Sequence, residues 1–229
     1  MEKSLRNVNR SNQMIPMIID YRITSLCNLN CPFCFGTKIK NKIDLKTVFG
    51  FFEQMKRYGL DKVVITGGEP TISPDFTDIV EELKKIGLKL YLSTNGYFFN
   101  NAMWDKQFIL DNFECIALPI EAEDRGIHNL MRTAKIDHYE NVKSALKYIR
   151  QNSNAQIKLE TVVTQINYNY VKHLLDTLEV LPDRWKLYQL CKSETNNLFY
   201  HKNRVDDYAF KILYDKVQEK YKDTGINIS

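Results

Sequence analysis

Short apolar stretches alternate with amphipathic helical stretches along this chain, and that alternation restricts the folds it can adopt. Strands are predicted at 17–24, 62–66, 89–93, 115–120, 156–163 and 185–190. Helices are predicted at 44–58, with Asp44 as N-cap, and at 74–86, 139–152, 170–178 and 206–221. Repeated strand–helix units form a parallel sheet, and six of them curl without closing an eight-stranded barrel. The predicted fold class is therefore α/β, a partial (β/α)6 barrel of TIM type.

Length and composition indicate one core domain. A chain of 229 residues, 44% of them hydrophobic, can bury a large core. We expect residues 1–15 to be a flexible N-terminal arm and residues 16–229 to be the core domain. Residues 226–229 resemble the beginning of another strand, which suggests that the C-terminal end is truncated.

Charge, hydropathy and cysteine count exclude several classes of partner and location. The formal net charge of +4 is small and dispersed, which argues against nucleic acid. No apolar run approaches the ~20 residues of a membrane span. Five cysteines are an odd number for a disulfide framework, and no secretory signal opens the chain. We therefore expect reduced thiols, a cytoplasmic location and no membrane.

Three cysteines lie in one short loop directly after the first predicted strand. Cys27, Cys31 and Cys34 supply three thiolates, one fewer than an electron-transfer cubane cluster takes, so one iron would stay open to another molecule. A zinc site is the alternative, but it needs a fourth Cys or His at a regular spacing, and the other candidates are scattered. Cys115 lies in an apolar strand and is expected to be a small buried hydrophobe, and Cys191 is ambiguous.

The spacing C-x3-C-x2-C, with Phe33 before the third cysteine, resembles the signature of the radical S-adenosylmethionine (radical SAM) superfamily. The resemblance implies a 4Fe-4S cluster held by Cys27, Cys31 and Cys34 and shielded by Phe33, with SAM on the open iron. It also implies that one electron, from a donor of flavodoxin or ferredoxin type, cleaves SAM to a 5'-deoxyadenosyl radical that takes a hydrogen from the substrate.

Further motifs of the same family follow the later strands in order. Loops after the carboxyl ends of strands build the site in βα barrels, so these motifs are expected beside the cysteine loop. The resemblance implies SAM binding by Gly67, Gly68, Glu69 and Pro70 after strand two, Ser93 and Asn95 after strand three, Glu121 after strand four, and Arg132. Each motif alone is weaker: the first two also suit ordinary turns, and a lone arginine is commonly a solvated helix residue.

Within the superfamily, the chain most resembles viperin and its prokaryotic relatives, which dehydrate ribonucleoside triphosphates to 3'-deoxy-3',4'-didehydro products of antiviral type. Their phosphate-binding basic residues match Lys62, Lys158, Arg184 and Lys186. The chain departs from them where Asp20 replaces an asparagine and where roughly their last seventy residues have no counterpart.

Strand alternation predicts the same substrate class from charge. The four basic side chains and Arg22 are expected to face the barrel interior with only Asp20 and Glu160 against them, and a buried excess of cations calls for an anion. The alternative is that Lys62 and Arg184, at strand starts, extend to solvent and bind nothing. Two other functions stay open: modification of a peptide or other small molecule, and a non-catalytic iron-sulfur or zinc module.

Overall fold

The computed structural model describes residues 17–37, 43–100 and 105–229. The predicted N-terminal arm, residues 1–15, lies outside the described residues. The described strands form one parallel sheet in sequential order that does not close on itself, which confirms the partial barrel. Its members are β1 (Met17–Thr24), β2 (Leu60–Gly67), β3 (Lys89–Ser93), β4 (Cys115–Pro119), β5 (Gln156–Val163), β6 (Arg184–Gln189) and β7 (Asn227–Ile228).

The sheet has seven strands, so the prediction of six was one short. The additional strand is the two-residue β7, which pairs with β6 through Arg184 opposite Asn227 and Trp185 opposite Ile228. It lies within residues 226–229, which the sequence marked as the beginning of a strand. Two residues are too few for an alternation pattern, and pairing along the edge of β6 is what makes them a strand.

Helices lie between the strands in the order that the alternation predicts. They are α1 (Leu45–Arg57), α2 (Phe76–Lys85), α3 (Lys106–Asn112), α4 (Arg125–Met131), α5 (His138–Asn152), α6 (Tyr168–Val171), α7 (Asn197–Asn203) and α8 (Asp207–Tyr221). The helix predicted at 170–178 is wrong in form, because α6 ends at Val171 and a separate 3-10 turn covers Leu174–Thr177. The seven-residue helices α3, α4 and α7 were missed, since two turns give too short a periodic pattern.

Strands β5 and β6 show which face of the sheet carries the core. Burial alternates along both strands, with Leu159 and Trp185 fully buried on the outer face against the helices. Trp185 also donates its indole N–H to the Thr161 hydroxyl at 3.0 Å. Lys158 and Lys186 lie on the opposite, half-exposed face. The predicted alternation is therefore confirmed, and the concave inner face of the sheet is polar.

Two aspartates begin the helices that lie behind the site described below. Asp124 accepts a hydrogen bond from the Ile127 N–H at 2.8 Å and caps α4, and Asp137 accepts one from the Glu140 N–H at 3.4 Å and caps α5. Arg125, at the first position of α4, forms an ion pair of 2.5 Å with Asp137, which ties the two helix beginnings together. Among the described helices, none has the length and apolar character needed to cross a membrane.

Candidate functional site

The cysteine loop leaves the carboxyl end of β1, at the edge where β2, β3 and β4 also end. Cys27 and Cys34 are exposed and Cys31 is half-buried. Backbone N–H groups of the loop point at its sulfurs: Leu29 donates to Cys27 Sγ and Gly36 donates to Cys34 Sγ, both at 3.4 Å. Such N–H to sulfur hydrogen bonds favour the charged thiolate, which is the form that binds metal.

The loop is fastened to the protein by a segment after β6 that sequence reasoning missed. Asn196, which is buried, donates from Nδ2 to the Phe33 carbonyl at 2.9 Å, and Thr195 donates from Oγ1 to the Cys34 carbonyl at 3.0 Å. The Phe33 ring is 6% exposed and packs into a small apolar cluster of its own. It therefore anchors the loop from beneath, and shielding of a cluster by this ring stays a prediction.

Arg132 lies beside the same loop. Its guanidinium stands 4.9 Å above the Phe33 ring, and its Nη1 is 4.0 Å from the Cys31 sulfur. Burial raises the pKa of the Cys27 and Cys31 thiols, and at Cys31 the positive charge of Arg132 acts in the opposite direction. The arginine thus supports a thiolate at the most buried of the three cysteines.

The donor set fits a cubane cluster better than a single ion. Within the described residues, no group of three or more His, Cys, Asp or Glu side chains is gathered so that it could hold one metal ion. A zinc site needs four ligands converging on one point, whereas a cubane cluster takes each thiolate on a different iron. Three thiols on one loop match the second requirement, and among the described residues no fourth zinc ligand is gathered with them.

The two glycines at the end of β2 are required by close packing of the chain against itself. A Cβ atom at Gly68 would lie 2.2 Å from the Leu26 carbonyl oxygen, and one at Gly67 would lie 2.6 Å from the Thr24 carbonyl oxygen. The Gly68 N–H donates to Thr24 O and the Glu69 N–H donates to Leu26 O, both at 2.8 Å. The group that approaches these glycines is the backbone leading into the cysteine loop, and their contact with SAM stays a prediction.

Glu69 is a fully buried link between the ends of β2 and β3. Its Oε1 accepts from the Thr71 N–H at 3.1 Å and from the Thr71 and Thr94 hydroxyls at 2.7 Å, and its Oε2 accepts from the Asn95 N–H at 2.7 Å. Burial raises the pKa of this carboxyl group, and the four hydrogen bonds oppose that rise. These donors occupy the carboxylate and fix the position of Asn95, and contact of Glu69 with SAM stays a prediction. Pro70 follows at the first position of a 3-10 turn.

Asn95 and Ser93, predicted together, point to different parts of the site. Asn95 donates from Nδ2 to Asn28 Oδ1 at 2.9 Å and lies 3.9 Å from the Cys27 sulfur, so it contacts the cysteine loop. Ser93 donates its hydroxyl to Glu160 Oε2 at 3.2 Å, on the inner face of the sheet. The turn after β3 therefore borders both the cysteine loop and the inner face.

Glu121 and Arg132 form a buried ion pair. Glu121 Oε1 accepts from Arg132 Nε at 2.8 Å and from Nη2 at 2.5 Å, and its Oε2 accepts from the Val162 N–H at 2.7 Å. Burial raises the pKa of Glu121 and acts to lower that of Arg132, but Glu121, together with Cys31 and Cys34, outweighs burial and raises the pKa of the arginine. The pair holds Arg132 charged, with Nη1 turned toward Cys31.

Three of the four predicted phosphate-binding residues lie around one tyrosine on the inner face. Tyr188 has Lys186 at 4.8 Å and Lys158 at 5.8 Å from its ring centre, and Arg184 lies opposite Lys158 in the strand register. Tyr188 was missed because the sequence argument counted only charges. Glu160 accepts from the Lys158 ammonium at 2.6 Å and from the Tyr188 hydroxyl at 3.0 Å. The predicted cation excess is therefore reduced by this ion pair.

Lys62, the fourth predicted residue, has a different environment. Its ammonium lies 4.0 Å from Asp61 Oδ2 and 5.7 Å from the centre of the Tyr91 ring. It pairs with Lys89 in the strand register, near the amino end of β3. The structure therefore gathers Lys158, Arg184 and Lys186. Of the four residues, Lys62 has the least support as a phosphate-binding residue.

Known proteins resemble this chain in sequence and in fold. The model of the family described as the radical SAM superfamily matches residues 21–178. An S-adenosylmethionine-dependent nucleotide dehydratase of Flammeovirga pacifica is 26% identical over 198 residues, which are 78% of this chain and 64% of that protein. A putative glycyl-radical enzyme activating enzyme of Methanocaldococcus jannaschii is 28% identical over 145 residues, 62% of this chain and 54% of that protein.

A solved structure shares the fold. The crystal structure of Streptococcus suis SuiB bound to S-adenosylmethionine aligns with a TM-score of 0.75 and 20% sequence identity, over 93% of this chain and 50% of that one. The chain thus spans between half and two thirds of the length of these relatives.

Proposed function

The chain belongs to the radical SAM superfamily, and we propose that it uses a 4Fe-4S cluster and SAM to remove a hydrogen atom from a nucleoside triphosphate. Members of this superfamily use that cluster and SAM. The observation that carries the proposal is the common edge of the sheet, where the three-cysteine loop, the turn containing Asn95 and the Glu121–Arg132 pair meet a cationic inner face.

In this proposal, different residues at this edge bind different parts of the cluster and of SAM. Cys27, Cys31 and Cys34 hold three irons. Arg132 presents a charged N–H edge to the methionyl carboxylate of SAM, and Glu121 orients that edge. The turn after β3, fixed by Glu69, borders the ribose, and Gly67, Gly68 and Pro70 set the path of the backbone beside the amino group. When bound, the cluster supplies the electron that splits SAM into methionine and a 5'-deoxyadenosyl radical.

The inner face supplies the substrate site. A triphosphate is a polyanion, and Arg184 and Lys186 place two positive charges on the half-exposed face of β6, with Lys186 beside Tyr188. Lys158 is already paired with Glu160, so it contributes a hydrogen-bonded network more than a free charge. The Flammeovirga pacifica relative, named a nucleotide dehydratase, supports the same substrate class.

The proposed reaction balances with two electrons from a donor of flavodoxin or ferredoxin type. The first electron would be used to cleave SAM, and the 4' hydrogen of the ribose would be transferred to the adenosyl group to give 5'-deoxyadenosine. The 3' hydroxyl leaves as hydroxide and takes a proton to form water, and the second electron completes the 3',4' double bond. The protein contributes proximity and exclusion of water, because a primary carbon radical attacks any nearby hydrogen. A reducing cytoplasm suits such a cluster.

Nucleotide-dependent cleavage of SAM tests this substrate. CTP, UTP, GTP and ATP are added in turn to anaerobically reconstituted, reduced protein with SAM, and 5'-deoxyadenosine is measured by chromatography. We expect one nucleotide to stimulate its formation and Lys186→Ala to lose about tenfold or more of that stimulation, since a charge-assisted contact contributes ~1.5–3 kcal/mol. Lys85→Ala, on the exposed surface of α2, is the matched control. If no nucleotide stimulates cleavage and Lys186→Ala behaves as wild type, the substrate is a peptide or another small molecule.

A further inference from the structure

Two buried histidines behind the site form a continuous chain of hydrogen bonds. His128 lies on α4 and His138 begins α5, and neither side chain is exposed. The Glu121 N–H donates to His128 Nδ1 at 3.0 Å, and His128 Nε2 lies 2.8 Å from His138 Nδ1. His138 Nε2 lies 2.8 Å from the Asn95 carbonyl oxygen. The chain therefore runs from the end of β4 to the turn after β3.

The groups at the two ends of these hydrogen bonds determine which ring nitrogen of each histidine carries the proton. A backbone N–H can only donate, so His128 Nδ1 must accept from Glu121, and its proton lies on Nε2. A carbonyl can only accept, so His138 carries its proton on Nε2 and accepts at Nδ1 from His128. All four nitrogens are satisfied while both rings are neutral. Burial lowers the pKa of both histidines, that of His138 to about 4.

This series of hydrogen bonds connects the groups that are proposed to contact opposite ends of SAM. At one end, Glu121 orients Arg132, the proposed carboxylate contact. At the other, the Asn95 side chain contacts the cysteine loop and its turn borders the ribose. Helix α5 contacts this turn at two successive carbonyls. His138 contacts that of Asn95, and Asn141 donates from Nδ2 to that of Gly96 at 2.9 Å.

We infer that His128 and His138 are positioning residues that set the distance between Arg132 and the Asn95 turn. Binding of the methionyl end of SAM orders the Glu121 end of these hydrogen bonds, and the hydrogen bonds then position the Asn95 end for the adenosyl group. The two halves of SAM are then bound cooperatively. This inference rests on the proposed SAM site, and it assigns a role to residues that contact neither cofactor nor substrate.

Binding of the two halves of SAM as separate ligands tests the inference. The dissociation constant of methionine is measured on reconstituted protein with and without saturating 5'-deoxyadenosine, and that of SAM is measured alongside. We expect each half to tighten binding of the other in the wild type. His138→Phe keeps an aromatic ring but loses both hydrogen bonds, so it should abolish most of this coupling and weaken SAM about tenfold or more. Iron content should stay that of wild type.

Two further variants separate positioning from packing. His138→Gln retains an acceptor oxygen and a donor nitrogen on one planar group, so it should restore most of the coupling. His173→Ala removes an exposed histidine next to Asp176 and should change nothing. If His138→Phe does not fold, His138→Met offers a flexible apolar side chain in its place.

Two results would overturn the inference and can be told apart. If the apolar variants fold, retain iron and bind both halves with wild-type coupling, the histidines are only core residues, and the proposed function stands. If the iron-loaded wild type binds neither SAM nor its halves, the inference and the proposed function fall together.

Discussion

Replacing Gly68 with alanine tests whether the motif after β2 is set by packing of the chain on itself. The new Cβ would meet the Leu26 carbonyl oxygen at 2.2 Å, a backbone atom that cannot turn aside as a side chain would. Either the end of β2 or the segment before Cys27 must move. Two hydrogen bonds cross this contact, from the Gly68 N–H to Thr24 and from the Glu69 N–H to Leu26.

The expected loss of stability follows from these contacts. Forcing an extra carbon into a packed site costs ~1–3 kcal/mol, and each of the two hydrogen bonds contributes ~0.5–1.5 kcal/mol. We expect Gly68→Ala to lower the free energy of unfolding by about 3 kcal/mol. Gly50→Ala is the matched control, because its Cβ would meet nothing within 4 Å on helix α1. That change should raise stability by ~0.5–1 kcal/mol.

Denaturant unfolding of the metal-free protein measures both variants, and iron analysis after reconstitution measures the consequence for the loop. Gly68→Ala should hold less than half of the wild-type iron, because the displaced segment leads directly into Cys27. The reasoning would be refuted if Gly68→Ala matched wild type in both stability and iron content. It would also be refuted if Gly50→Ala were equally harmful.

Three further outcomes are expected. Glu69→Leu leaves the Thr94 hydroxyl and other donors buried without an acceptor, so denaturant unfolding should show a loss of about 3 kcal/mol, and an unchanged midpoint would contradict this. His138 has its pKa lowered from 6.5 to about 4, so the unfolded state binds the proton more readily. The stability that neutral His138 contributes is complete above pH 6.5 and falls by about 3 kcal/mol as the pH is lowered toward 4. If the free energy of unfolding of His138→Gln fell as steeply over this range as that of the wild type, the prediction would be wrong. Cys115→Ala and Cys191→Ala should retain wild-type iron content, and loss of half the iron in either would indicate another metal site.

The order of strands and helices could be predicted from the sequence because each long element carries its own pattern. The bounds of β1, β3 and β5 agree with the prediction, since apolar residues there alternate between two clear limits. The short helices α4 and α7 carry no such pattern, although α4 bears His128 and α7 follows Asn196. Their positions depend on contacts between distant segments, which no local window contains.

The candidate site divides in the same way. Motif spacing predicted that Cys27, Asn95 and Arg132 would gather at one edge, because loops at the carboxyl ends of parallel strands must meet there. It did not predict that Glu69 would turn inward to bind four donors, or that Glu160 would pair with Lys158. Which partner a buried polar group finds is decided by tertiary packing.

Cleavage of SAM by the reduced, reconstituted protein is the direct test of radical SAM chemistry in this chain. Protein loaded without oxygen should hold about four irons per chain and convert SAM to 5'-deoxyadenosine when a strong reductant is added. Cys31→Ala should form none, because one iron of the cluster loses its ligand. Stoichiometric zinc in freshly isolated protein, or an iron-loaded wild type that forms no 5'-deoxyadenosine, would exclude that chemistry.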